Sequence, residues 1–426
     1  MPQVASNPAS AEIRRDRQPR ARQQRGYALV KPQRLPPEPK TPRVVERSRL
    51  ARALKTLCGA RFSAKRADQL AGWLVDYAKT FSVDPFALGA LAYYRTRCSF
   101  RARGGNKRVG MMRIQPSLHR GALRDGRYHY RVGSKKRASL SVARFPFTRR
   151  ALRRPEVSVY FAAALLSIYG KQCRYLDGRY HGVKHRHALS HMAWGDQVRG
   201  TLDEERVLRD RRRLLSYYHD KRRPSGRYKG IALYSPLDGV PRKTTSDLHA
   251  RRGRRRHRGI DFYSDVGEPV RAIADGYVFF AGVQRRRGGV RKLSPKSSRW
   301  VRRASMGAGG LFVRLQHAKN LVSRYFHLSR FVVATGERVK AGQLIGYVGG
   351  TGIRHSRPHL HFEMRRGWRT LDPLRYYTGS VLPPTATYFG RHVRRRRALR
   401  RWLRAKRRRA RRRREHRRKR RALPVL

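Results

Sequence analysis

Apolar positions follow two different rhythms along this chain. In the first half, the segments Leu50 to Gly59, Ala67 to Phe81, Asp84 to Arg95 and Val157 to Cys173 place apolar residues at helix spacing and show no strand alternation. Asp84 followed by Pro85 reads as an N-cap with a first-turn proline. In the second half the runs shorten and are broken by glycines, as in VRAIADGYVFFAG from Val270 and SRYFHLSRF from Ser323. Near the end of that region HLHFE alternates polar His359, His361 and Glu363 with apolar Leu360 and Phe362. On a strand, that alternation puts the three polar groups on one face. The pattern predicts a multidomain α+β protein. Helical residues 49–218 precede a mostly antiparallel β domain over 229–378, with 219–228 as linker. Residues 1–48 read as a disordered basic leader, and 379–426 as an extended segment running into an arginine-rich tail.

Polar clusters bracket the β region. His257 and Asp261, four residues apart with Gly259 between, lie at its start, and His359 and His361 near its end. Imidazole and carboxylate ligands in a set of three suit Zn²⁺ and leave a fourth position for water, the arrangement of a catalytic zinc site. His327 lies between the clusters, where Tyr325, His327 and Ser329 alternate with Phe326 and Leu328. Strand alternation places it on the face away from those two apolar side chains. The loop around Thr351, with Gly349, Gly350 and Gly352, reads as a tight turn bringing the last strand into the site, since no phosphate-loop pattern accompanies it.

HRGIDF, VRAIADGYVFFAG, YFHLS, GERVKAGQLIGYVGGTG and PHLHFEM resemble, in order and spacing, the zinc metallopeptidases of the LytM/lysostaphin type, peptidase family M23. The resemblance covers about 229–377. It implies hydrolysis of peptide bonds in bacterial peptidoglycan cross-links or stems, with one Zn²⁺ per chain held by His257, Asp261 and His361. It assigns His359 as general base and His327 as the second catalytic histidine, which orients water or stabilises the oxyanion. Glu363 is a candidate partner for a ligand imidazole. Two segments depart from the family pattern. Residues 283–306 form a basic insertion, expected as a groove-wall loop or a disordered flap. IRHSRPHLHF adds His355 and Arg357 beside the site, where they bear on substrate choice.

The segment from Ser82 to Pro116 resembles the lysozyme-like fold of soluble lytic transglycosylases, with GMMRI from Gly110 to Ile114 and, further on, Ala162 to Tyr169 and Ala193 to Asp196 as matching elements. Arg97 stands where that family has its catalytic glutamate, three residues before Phe100. A guanidinium cannot protonate a leaving oxygen. Unless Asp76 or another acid reaches the cleft, the helical domain does not cut glycan; it either holds glycan chains for the β domain or is kept for folding or docking.

Charge complicates the picture. The chain has 104 Lys+Arg against 26 Asp+Glu, a formal net charge of +78. An anionic envelope polymer or nucleic acid is the expected partner of the tail, through phosphates and without sequence choice. The alternative function is a non-catalytic basic scaffold or polyanion-binding protein built on a retired peptidase fold. Neither a signal peptide nor a membrane-spanning apolar run is recognisable, although the implied substrate lies in the cell envelope. Three cysteines leave a Cys58–Cys98 or a Cys98–Cys173 bridge open.

Overall fold

Helix α1 (Arg47–Cys58) turns its apolar face, Leu50, Ala53, Leu54 and Leu57, onto helix α2 (Ala64–Phe81), which begins where the Ser63 hydroxyl accepts the Arg66 N–H. Helix α3 (Pro85–Thr96) starts at Asp84, whose carboxylate accepts the Phe86 N–H, with Pro85 in the first turn. Such a cap contributes about 1 kcal/mol. From Phe86 to Ala92 every residue of α3 is buried, because α1, α2, helix α4 (Pro155–Leu176) and helix α5 (Leu202–His219) surround it. Cys58 and Cys98 form a disulfide tying the end of α1 to the end of α3. The helical region also carries a small antiparallel sheet, with β1 (Arg127–Val132) paired to β2 (Lys136–Ser141), which the helical pattern alone did not separate out.

The computed structural model describes residues 39–102, 107–132, 136–176, 202–220, 222–252, 255–353 and 356–382. Most of the leader, the Ala193 to Asp196 motif, His355 and the arginine-rich tail from 383 onward lie outside the described residues. Pro36–Leu426 is one compact unit. Among the described residues, no helix is long and apolar enough to cross a membrane.

The second half is a twelve-stranded, mostly antiparallel sheet. Its strands are β3 (Arg242–Ser246), β4 (Ile260–Phe262), β5 (Pro269–Arg271), β6 (Gly276–Arg285), β7 (Val290–Lys292), β8 (Met306–His317), β9 (Leu321–Phe331), β10 (Leu344–Val348), β11 (Leu360–Arg366) and β12 (Val381–Leu382), with two short strands at the margins. The main path runs β7-β6-β8-β9-β11-β4-β3-β12, and β10 pairs β5 and β9. One side of the sheet buries Ile260, Phe262, Val313, Tyr325, Leu360, Phe362 and Met364. The basic insertion is ordered: it folds back as β7 and two 3₁₀ turns, and the Arg303 guanidinium lies in the space beside Gly350 that a side chain there would enter.

Where the helices meet the sheet, arginine is an interior residue. The apolar face of α5, with Val207, Leu208, Leu214, Leu215 and Tyr218, completes the helical core. Its other face carries Arg206 and Arg209 into the loop that follows β4 and Arg213 onto Asp210, beside Gly239. Arg209, 1 % exposed, reaches Asp265 at 2.7 Å and Glu268 at 3.4 Å, and Arg206 donates to the Tyr263 hydroxyl at 2.9 Å. Glu268 also pairs with the fully buried Arg242. A second group forms around Asp238, which accepts from Tyr217, Arg222 and Arg271 at 2.8–3.0 Å. Burial works to raise the Glu268 carboxyl, but Arg209, Arg242 and Arg213 hold it below the usual range. Burial pushes Arg242 down to about 10, with Glu268 opposing the shift. Of the segment expected as a linker, 219–228, His219 ends α5 and Gly226–Tyr228 pair with Ile231–Leu233 in a short hairpin, while the Ser225 carbonyl accepts from the Ser380 hydroxyl.

Candidate metal centre

Strand β11 lies between β9 and β4, and the register decides what faces what. His361 pairs with Asp261 across β4 and with Phe326 across β9. Directly opposed residues share a face of the sheet, so Asp261 and His361 meet there. His257 arrives from the short hairpin 251–256, its N–H donating to the Ala250 carbonyl. Gly259 is required between them: a Cβ there would lie 2.3 Å from the Phe362 carbonyl and force β4 off β11.

Three ligand atoms converge. His257 Nε2 is 2.8 Å from His361 Nδ1, and Asp261 Oδ1 is 3.1 Å from the first and 2.9 Å from the second. The outer atom of each imidazole fixes its tautomer. His257 Nδ1–H donates to the Asp247 carbonyl at 2.7 Å, and His361 Nε2–H donates to Glu363 at 3.3 Å. Both inner nitrogens therefore present lone pairs to each other and to the Asp261 carboxylate. Three converging lone pairs repel unless a cation lies among them. Tetrahedral zinc, with bonds of about 2.0–2.1 Å, would set its donor atoms about 3.3 Å apart, close to these spacings. The residues fit the metal, and His257, Asp261 and His361 form a candidate metal-binding group.

Two further histidines border it. His359 Nδ1–H donates to the Arg357 carbonyl at 2.7 Å, which leaves Nε2 bare, buried, without a hydrogen bond and 3.4 Å from Asp261 Oδ1. The His327 ring centre lies 4.9 Å from that of His359, and its Nδ1–H donates to the Thr351 carbonyl at 2.9 Å. Burial, with His359 and His361 alongside, pushes His327 down to about 3, so it is neutral at any ordinary pH. The alternation expected in β9 fails here. Tyr325 faces the core, whereas Phe326 and His327 both face the metal group. The reason is local: His327 has φ 63, and the register shifts on both sides of it. This bulge turns His327 to the other face, at a backbone cost that ordinary strand residues avoid.

Sequence reasoning missed the atoms that hold these rings, because they are backbone carbonyls of Asp247, Thr351 and Arg357 and carry no residue signature. It also missed Arg252, which donates to the outer oxygen of Asp261 from the hairpin. Arg97 is exposed at the C-terminal end of α3 and lies over the Tyr93 ring at 4.4 Å. It adds to the positive surroundings of Asp265 on the β side.

Comparison with known proteins places this geometry. Residues 255–373 match Peptidase family M23. The chain is 38% identical over 141 residues to the peptidoglycan DD-endopeptidase ShyC of Vibrio cholerae, covering 32% of this chain and 27% of that protein. It is 39% identical over 107 residues to the glycyl-glycine endopeptidase ALE-1 of Staphylococcus capitis, covering 25% of this chain and 24% of that protein. Among solved structures, the catalytic domain of the prophage-encoded M23 protein EnpA of Enterococcus faecalis aligns at 31% identity over 33% of this chain and 94% of that one, with a TM-score of 0.25. The chain thus spans about a quarter of the length of the curated relatives it matches. The match to Peptidase family M23 thus falls on residues 255–373 of the β domain, and the candidate ligands His257, Asp261 and His361 lie within it.

Proposed function

We propose that this protein is a zinc endopeptidase that hydrolyses peptide bonds in bacterial peptidoglycan, working at the cell envelope. The observation that carries the proposal is the convergence of the inner atoms of His257, Asp261 and His361 beside the bare, buried Nε2 of His359. Zinc held by those three residues supplies a Lewis acid and a water acidic enough to ionise near neutral pH. With the metal in place, His359 Nε2 would be positioned to accept a proton from water at the site, since its lone pair is unengaged and its other nitrogen donates to the Arg357 carbonyl. His327 also presents a bare Nε2. In this tautomer it accepts and does not donate, which supports the water-orienting role over the oxyanion role. Glu363 fixes the ring of His361 and raises its basicity.

The helical region holds glycan strands in this reading. Arg97 in place of the acid supports a role without glycosidic cleavage. The arginine-rich tail serves as the anchor to an anionic envelope polymer or nucleic acid.

Digestion of purified sacculi with and without a zinc chelator, with the products read by mass, tests the proposal. New amino termini that vanish with the chelator are the expected result. No turnover on any wall preparation, with polyanion binding intact after His257→Ala, would favour the basic scaffold instead. Anhydro-sugar ends would assign cutting to the helical region. A second measurement addresses Glu363: in Glu363→Ala, zinc affinity by chelator competition should fall about 10–100-fold. Unchanged affinity would remove Glu363 from the metal's support.

A further inference from the structure

Strand β11 continues past the metal ligand with the same alternation. His361, Glu363 and Arg365 share one face, while Phe362 and Met364 are fully buried on the other. Arg324 on β9 is in register with Glu363, and Arg314 on β8 is in register with Arg324. Two guanidiniums from adjacent strands, Arg324 and Arg365, therefore flank one carboxylate, and Arg314 follows on the next strand, in register with Arg324. Arg324 lies 3.5 Å and Arg365 3.8 Å from Glu363 Oε2, while Oε1 of the same carboxylate is already engaged by His361.

Arg314 has no acidic partner among the described residues, and it rests on the Phe279 ring at 4.1 Å. The Nε atoms of Arg314, Arg324 and Arg365 are all buried without a hydrogen bond. Burial, together with the neighbouring guanidiniums, pushes Arg314 and Arg324 below the ordinary arginine value. Half-buried cations that repel one another are stabilised by an anion, and a planar fork favours a carboxylate. Beside them a row of stacked rings, Phe280 on Phe312 at 4.8 Å and Phe312 on Phe326 at 5.0 Å, leads back to His361.

We propose that Arg314, with Arg324 and Arg365, forms a carboxylate-binding subsite that selects peptides bearing a free carboxylate near the scissile bond. This rests on the peptidase reading and adds what that reading leaves open, the chemistry of the preferred stem. Along β11, Arg365 lies four residues from His361 and Arg324 is level with Glu363, two residues from it, about 7–14 Å at strand rise. An extended substrate covers that span in about two to four residues.

The test uses two synthetic stem peptides with blocked carboxyl termini, one with a free glutamyl α-carboxylate and one with that group amidated. Binding is measured by calorimetry to the full-length, zinc-loaded His359→Ala variant, which holds back turnover. The free acid should bind about tenfold more tightly, the difference expected of one charge-assisted contact. Adding Arg314→Ala should erase that preference, Arg314→Lys should keep part of it, and Arg66→Ala, an exposed arginine on α2, should leave it intact. Equal affinity for acid and amide, binding of neither, or a preference that survives Arg314→Ala would each overturn the subsite. Cleavage by the unmutated protein is scored separately. Discrimination without cleavage sinks the peptidase and spares the subsite, whereas cleavage without discrimination does the reverse.

Discussion

In His359→Ala, zinc should remain bound at one ion per chain while turnover of peptidoglycan falls about 10²–10⁴-fold, the usual contribution of a positioned general base. The expectation follows from where each imidazole points. His257 and His361 send lone pairs to the same point as Asp261 Oδ1, within 2.8–3.1 Å of one another. His359 is aimed at the edge of that group, 3.4 Å from Asp261 Oδ1, with its outer nitrogen secured on the Arg357 carbonyl. Removing it takes away a proton acceptor and leaves the ligand set whole. His361→Ala should instead lose the metal and the activity together, because it removes one of three ligands and strands Glu363 without its imidazole. Metal content by mass spectrometry under native conditions, read beside kcat, separates the two cases. If His359→Ala loses zinc as His361→Ala does, His359 is a ligand and the base must be sought elsewhere.

How much of this was readable beforehand depended on which atoms act. The ligand set was legible because side chains do the binding and a strand's period of two is visible in HLHFE. The face of His327 was not legible, since alternation was the only guide and the positive φ at that residue breaks it. No residue type announces a bulge at a histidine. The arginine interior was hidden for a different reason. With arginine in every segment, composition gave no contrast between a solvated guanidinium and one buried against a carboxylate. Only the fold shows that Arg209 and Arg242 are inside and Arg66 outside. Likewise the cationic patch of Arg314, Arg324 and Arg365 exists through cross-strand register, which sets Arg314 against Arg324 and Arg324 against the distant Glu363.

The interior arginines make Glu268 the carboxylate whose loss should cost the fold most. It is 2 % exposed, pairs with Arg242 and lies 3.4 Å from Arg209. It also accepts the Asp265 N–H at 2.6 Å, closing the loop that runs from Asp261 to β5. Breaking a buried ion pair by removing one partner typically costs about 3–5 kcal/mol, because the remaining charge stays buried and uncompensated. Glu268→Gln should therefore lower the unfolding free energy of the full-length protein by about that amount in urea. The double variant Glu268→Gln with Arg242→Met should recover part of it, since the stranded cation is gone. Acid gives an independent reading. Glu268 is held below its ordinary pKa, so its contribution is complete above the unfolded value near about 4.3 and is lost as pH falls through the lower folded value. Glu268→Gln should flatten that part of the acid limb. Activity should fall with stability, because the same loop leads out of β4, and Ser264 within it accepts the Leu360 N–H at 3.0 Å at the start of β11. A urea midpoint unchanged within error would mean that the arginines of α5 are held by other groups, Asp210 and Asp265 among them.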